Sequence, residues 1–191
     1  MSSLILIRHA MPALDRAVPA HMWELDDVAR ESSRRLALCL PPDPLIVSST
    51  ETKACQTAEE IHAVCGGGIR SDERLVEVVR GESWLDDHRC IAAEYVGGIQ
   101  QPGWEAQDAV ASRFGAVIRE LCEESDDTVV VVTHGQAMST WLAAEGLLND
   151  VVAFWSALTF PDAWGLRGDL GDTWHDLRRL GARGQSTTTR T

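Results

Sequence analysis

The sequence predicts an α/β three-layer sandwich, a mostly parallel central sheet flanked by helices, with an added lid segment. Three observations predict it. Short apolar runs end abruptly in polar residues, segments with one-face apolar spacing alternate with those runs, and 191 residues suffice to bury one substantial core.

Each apolar run has the length of a buried strand. Residues 4–7 stop at Arg8-His9, residues 45–47 at Ser48-Ser49, and residues 129–132 at Thr133-His134. Between them, residues 27–40 carry a helical pattern stopped by Pro41-Pro42. A helix follows Ser49, with Ala54, Ala58 and Ile61 on its inner face and Gly66-Gly67-Gly68 terminating it. Another starts near Glu105, where Val110, Phe114, Val117, Ile118 and Leu121 recur on one face. After Phe160-Pro161 a last strand is expected around residues 164–166. Residues 81–103 contain Trp84, His88 and Tyr95 with weak helical periodicity and close on Gly97-Gly98 and Pro102-Gly103, a segment read as the lid. One domain is expected over residues 1–180, followed by a polar, Thr-rich, flexible tail at 181–191.

Composition narrows the function classes. Seventeen basic against 29 acidic residues give a net charge of −12, which disfavours nucleic acid and anionic membranes as partners. No apolar run reaches bilayer length, and a cytoplasmic location is expected. The five cysteines, Cys39, Cys55, Cys65, Cys90 and Cys122, show no paired metal-ligand spacing and read as reduced structural thiols. Cys55, beside Lys53, is the one with a cationic neighbour.

Ligands on parallel sheets bind beyond the carboxyl ends of the strands, where Arg8, His9, Ser48, Ser49 and His134 are expected. Arg8-His9 combines an imidazole nucleophile with a guanidinium suited to two phosphate oxygens. His134 would bring a second imidazole to the same rim as a donor to a transferring phosphoryl group. The stretch from Ser48 through Glu59 enters a helix whose first N–H groups favour anions, with Lys53 adding charge. Glu77 is the candidate acid for the leaving oxygen. His21, His62, His88 and His175 lack such company and read as structural. The seven tryptophans read as core, with Trp84 and Trp104 bracketing the lid.

Four segments, in order, resemble the histidine phosphatase superfamily, in its phosphoglycerate-mutase-like branch. Leu6-Ile7-Arg8-His9-Ala10 is similar to the family's Arg-His-Gly signature, and Ser48-Ser49 through Gln56-Thr57-Ala58-Glu59 to its Ser-Ser and Gln-Thr-Ala-Glu segment. Leu75-Val76-Glu77 resembles the acid-bearing segment and Val132-Thr133-His134-Gly135 the second-histidine segment. The resemblance implies that His9 accepts the phosphoryl group, that Arg8 and His134 bind its oxygens, and that Glu77 donates a proton. It implies a phosphomonoester hydrolase acting on a small phosphorylated substrate with neither metal nor cofactor. A mutase-type isomerase and a catalytically silent phospholigand-binding protein are the alternatives, and homo-oligomerisation is left open. Two positions depart from the family pattern: Ala10 stands for glycine, and Lys53 for an arginine that would clamp phosphate. Gly103-Trp104-Glu105 and Phe160-Pro161-Asp162-Ala163 are weaker echoes to which no catalytic role is given.

Overall fold

Side chains along a strand point alternately to its two faces, and here both alternations are apolar, so the sheet must be covered twice. The computed structural model describes residues 2–81, 87–125, 128–169 and 173–181. Its elements are β1 (Ser2–Arg8), α1 (Asp27–Ala37), β2 (Leu45–Ser48), α2 (Thr52–Cys65), β3 (Gly68–Ser71), α3 (His88–Val96), α4 (Gln107–Glu124), β4 (Val129–Thr133), α5 (Gly135–Ala144), α6 (Val151–Ala157), β5 (Asp162–Asp169) and β6 (Thr173–Leu180). The strands form one sheet in the order β3-β2-β4-β1-β5-β6. β1 to β4 run parallel, and β5 and β6 are antiparallel additions. This is the three-layer, mostly parallel sandwich that the alternation predicts.

Leu4, Leu6, Val47, Val129 and Val131 face the larger core, built with Phe114, Ile118, Met138 and Trp141 from α4 and α5. Ile5, Ile7, Ile46, Val130 and Val132 face the smaller one, built with Ala37 of α1 and Ala54, Ala58 and Ile61 of α2. The five expected α4 residues are all buried. Phe114 stacks on Trp141 at 5.4 Å between ring centroids, an arrangement that contributes about 0.5–1.5 kcal/mol beyond the buried area.

Two helix boundaries and two strands differ from expectation. α1 ends at Ala37 rather than at 40, because the N–H groups of Leu38, Cys39 and Leu40 bond to carbonyls three residues back, tightening the chain into a narrower turn ahead of Pro41. α4 begins at Gln107, two residues late. β3 and β6 were not anticipated: all four residues of β3 are exposed and β6 is largely so, and such edge strands carry no continuous apolar run to announce them.

Within the segment read as a lid, residues 82–86, Trp84 among them, lie outside the described residues, as do residues 182–191 of the tail. The described remainder contains α3, whose Ala92, Tyr95 and Val96 are buried in the larger core. The Tyr95 hydroxyl donates to the Glu105 carbonyl at 3.0 Å.

Gly67, between α2 and β3, has φ +84°, and a Cβ there would lie 2.1 Å from the Pro44 carbonyl oxygen. The nearest atoms all belong to the Asp43–Pro44 backbone, so no flexible side chain can move aside. Gly67→Ala is therefore expected to destabilise the fold by about 2–4 kcal/mol in urea unfolding, and a change below about 0.5 kcal/mol would contradict this packing.

Candidate active site

Parallel pairing of β1 with β4 and of β4 with β2 sets three strand ends side by side, with Arg8 paired to Thr133 and Ser48 to Val132. The pairing continues one residue further. The His9 N–H donates to the Thr133 carbonyl at 2.9 Å and the Ser49 N–H to the Val132 carbonyl at 2.8 Å. The rings of His9 and His134 consequently meet at 5.0 Å between centroids, crossed at 61°. Both histidines are buried.

His9 Nδ1 lies 2.7 Å from the carbonyl oxygen of Ala10. A carbonyl only accepts, so Nδ1 carries the hydrogen and Nε2 keeps a free lone pair. Ala10 is itself tied down, its N–H donating at 3.0 Å to Thr57 Oγ1, which donates to the Lys53 carbonyl. Ala10 is fully buried beside Leu25 and Ala29, and a methyl group fits where the family pattern has glycine. Burial, then the neighbouring His134 and Lys53, hold the His9 pKa well below the ordinary histidine range, against the smaller opposing pull of the Ala10 carbonyl. The imidazole is neutral at pH 7, as a nucleophile must be.

Arg8 donates from one terminal nitrogen to the Leu158 carbonyl at 3.0 Å and lays its guanidinium 3.5 Å from the centre of the Phe160 ring. Its buried Nε has no partner among the described residues. Desolvation pushes its pKa down to about 10, which still leaves it charged. Gly135 makes this placement possible, since a Cβ there would come within 3.1 Å of the Arg8 Cζ and Nε.

His134 Nε2 sits 2.8 Å from Ser49 Oγ and 3.5 Å from Glu51 Oε1, and its buried Nδ1 is without a partner among the described residues. Burial and the surrounding Lys53, Arg113, Arg8 and Arg80 hold its pKa well below the ordinary range, which the Glu51 carboxylate does not offset.

Lys53 is buried rather than solvated. Its ammonium donates to Glu51 Oε2 and, at 2.8 Å, to the Ala20 carbonyl. It acts electrostatically on both imidazoles, so it stands at the site, but its direct partner is a carboxylate of the chain itself. Glu77 stands at the start of α5. Its Oε1 accepts from the N–H groups of Val78 at 3.0 Å and Ala137 at 2.8 Å, and its Oε2 from Gln136 at 3.2 Å.

The five residues singled out in the sequence, Arg8, His9, Lys53, Glu77 and His134, thus converge. Sequence reasoning missed three of their supports. Glu51, which precedes the first turn of α2, also accepts the Glu77 N–H at 2.8 Å. Ser49 was placed at the rim without its contact to His134. Arg113, held by Glu105 at 2.7 and 2.9 Å, donates to the carbonyls of Arg74, Val76 and Glu77 and so fixes the loop that presents Glu77. Glu105, the end of the weak Gly-Trp-Glu echo, is therefore structural. Trp104 lies between Tyr95 and His88, at 5.2 and 6.1 Å between centroids, with the Arg80 guanidinium 5.2 Å from its ring. Cys55 Sγ donates to the Ser49 carbonyl, which takes it out of contention as a nucleophile.

Burial also lowers His88, to about 4. All three histidines have folded pKa values below the unfolded value of about 6.5, so the unfolded chain binds more protons once the pH falls below it. Their contribution is present above about pH 6.5 and is lost as the pH falls toward the folded values. Thermal unfolding is expected to show a falling Tm between about pH 7 and about pH 5, with a shallower slope in His134→Gln. Identical slopes in the two proteins would show that the buried imidazole is not withheld from protons.

The model of the histidine phosphatase superfamily (branch 1) matches residues 4–157. A solved mycobacterial glucosyl-3-phosphoglycerate phosphatase in complex with inorganic phosphate is 27% identical, with a TM-score of 0.70 over 95% of this chain and 98% of that one. YhfR of Bacillus stearothermophilus is 23% identical, with a TM-score of 0.76 over 98% of each chain. A phosphoglycerate mutase from Bacillus anthracis is 16% identical, with a TM-score of 0.71 over 94% of this chain and 92% of that one. For these last two the likeness is one of fold. No curated protein sequence matches the chain. The family match spans Arg8, His9, Lys53, Glu77 and His134, and the chain belongs to the histidine phosphatase superfamily.

Proposed function

We propose that the chain is a phosphomonoester hydrolase that passes a phosphoryl group through His9 to water. One observation carries the reading: beside a histidine whose Nε2 lone pair is free stand two buried nitrogens, Arg8 Nε and His134 Nδ1, without partners among the described residues. Arg8 Nε is a donor, and so is His134 Nδ1 in the tautomer whose Nε2 accepts from the Ser49 hydroxyl; buried donors left in this way are costly unless a ligand accepts from them. A phosphoryl group offers the oxygens.

In the first step His9 Nε2 attacks phosphorus in line and the P–O bond to the alcohol breaks. Arg8, Lys53 and His134 stabilise the charge on the equatorial oxygens, and Glu77 delivers a proton to the departing alcohol. In the second step Glu77, left as the carboxylate by the first, takes a proton from the water that attacks the phosphohistidine. Inorganic phosphate leaves and His9 is restored. In this reading the described residues 87–103 serve as the lid, joined to Trp104 by the stacking of His88 on its ring. A small phosphorylated substrate fits best, as the name of the phosphate-bound relative suggests. Five cysteines, none of them in a disulfide, suit a reducing, cytoplasmic setting.

His9→Ala is expected to abolish turnover across a panel of phosphomonoesters, and wild-type protein quenched during turnover to carry an acid-labile, base-stable phosphate on His9. Turnover by the alanine variant near the wild-type rate would end the reading. Glu77→Gln is expected to slow phosphoryl transfer from alkyl phosphates far more than from an activated aryl phosphate, whose leaving group departs without much protonation. Equal slowing in single-turnover measurements would make Glu77 a positioning group instead.

A further inference from the structure

Lys53 is the only lysine in the chain, while the other sixteen basic residues are arginines. It stands at a phosphate-binding position, yet its ammonium is engaged by Glu51. The pair is nearly closed to solvent, the two side chains being 8% and 11% exposed. Glu51 reaches further than its partner. Its other oxygen accepts the Glu77 N–H and lies 3.5 Å from His134 Nε2, so one carboxylate touches the wall around the reacting group on three sides.

An ammonium has three N–H donors. Glu51 and the Ala20 carbonyl take two, leaving one for a phosphoryl oxygen. A buried carboxylate beside that position repels an oxyanion and shares the only ammonium that attracts it. A guanidinium would offer a fork, while a lysine offers a point charge whose attraction a single carboxylate cancels.

Resting on the phosphatase reading, we propose that Glu51 is a counter-anion built into the phosphate-binding wall, competing with the phosphoryl dianion for Lys53 and so weakening the hold on substrate and product phosphate. Glu51 thereby limits product inhibition. It sets the site toward release.

The test is the sign of one change. Gln at position 51 keeps an oxygen for the Glu77 N–H and removes the charge, so Glu51→Gln should bind inorganic phosphate more tightly, on the order of tenfold, by calorimetry at a pH where phosphate is the dianion. Product inhibition by phosphate should strengthen in parallel. A residue that merely holds the structure would weaken binding when replaced, so unchanged or weaker binding by a folded Glu51→Gln protein overturns the proposal. A second measurement needs no variant. With lysine isotopically labelled, the wild-type protein gives one side-chain ammonium signal, that of Lys53, and phosphate should move it saturably. A signal that stays in place while calorimetry records phosphate binding also overturns the proposal. Wild-type protein that forms no phosphohistidine but binds phosphate more tightly as Glu51→Gln overturns the phosphatase reading alone.

Discussion

The in-register parallel pairing of β1 with β4 is the constraint on which the rest of the site depends. It is made by backbone hydrogen bonds between two strands buried on both faces, and it carries one residue past the last ladder position, to the bond from the His9 N–H to the Thr133 carbonyl. A slip of one residue would turn Leu4 and Leu6 into the core that Ile5 and Ile7 fill, so the hydrophobic pattern locks the register. The same lock brings two imidazoles into contact. Rigid strands hold the reacting groups while loops supply the partners around them.

Electrostatics within the site oppose those of the whole molecule. The chain carries twelve negative charges in excess, but Arg8, Lys53, Arg80 and Arg113 all bear on His134. Desolvation, together with these cations, keeps both histidines neutral, which favours nucleophilic attack and opposes idle protonation. Their positive field is moderated from within by Glu51 and Glu77. An anionic ligand would enter a pocket whose charges are mostly arranged before it arrives.

Much of the fold was legible because its signals are local and redundant. The three valine- and isoleucine-rich runs, the α4 stripe and the residues just past each run required only periodicity and the rule for strand ends. His9 and His134 were legible for the same reason. β3 and β6 were not, since all of β3 is exposed and β6 buries only scattered residues such as Trp174, so neither edge strand carries a continuous apolar run. Glu51 escaped because an acidic residue ahead of a helix is common and ordinarily solvated; only the folded chain shows it turned inward, between Lys53 and His134. The grip of Arg113 on three carbonyls joins residues almost forty positions apart, and no local pattern encodes it.

The burial of Lys53 has a chemical consequence. The folded protein presents amine-acylating reagents with no exposed lysine, because its one lysine is enclosed and charge-paired. Acylation of that side chain requires the wall around it to open and the ammonium to lose its proton away from Glu51. The pace of modification under native conditions therefore times the breathing of this single pocket, with no background from elsewhere among the side chains.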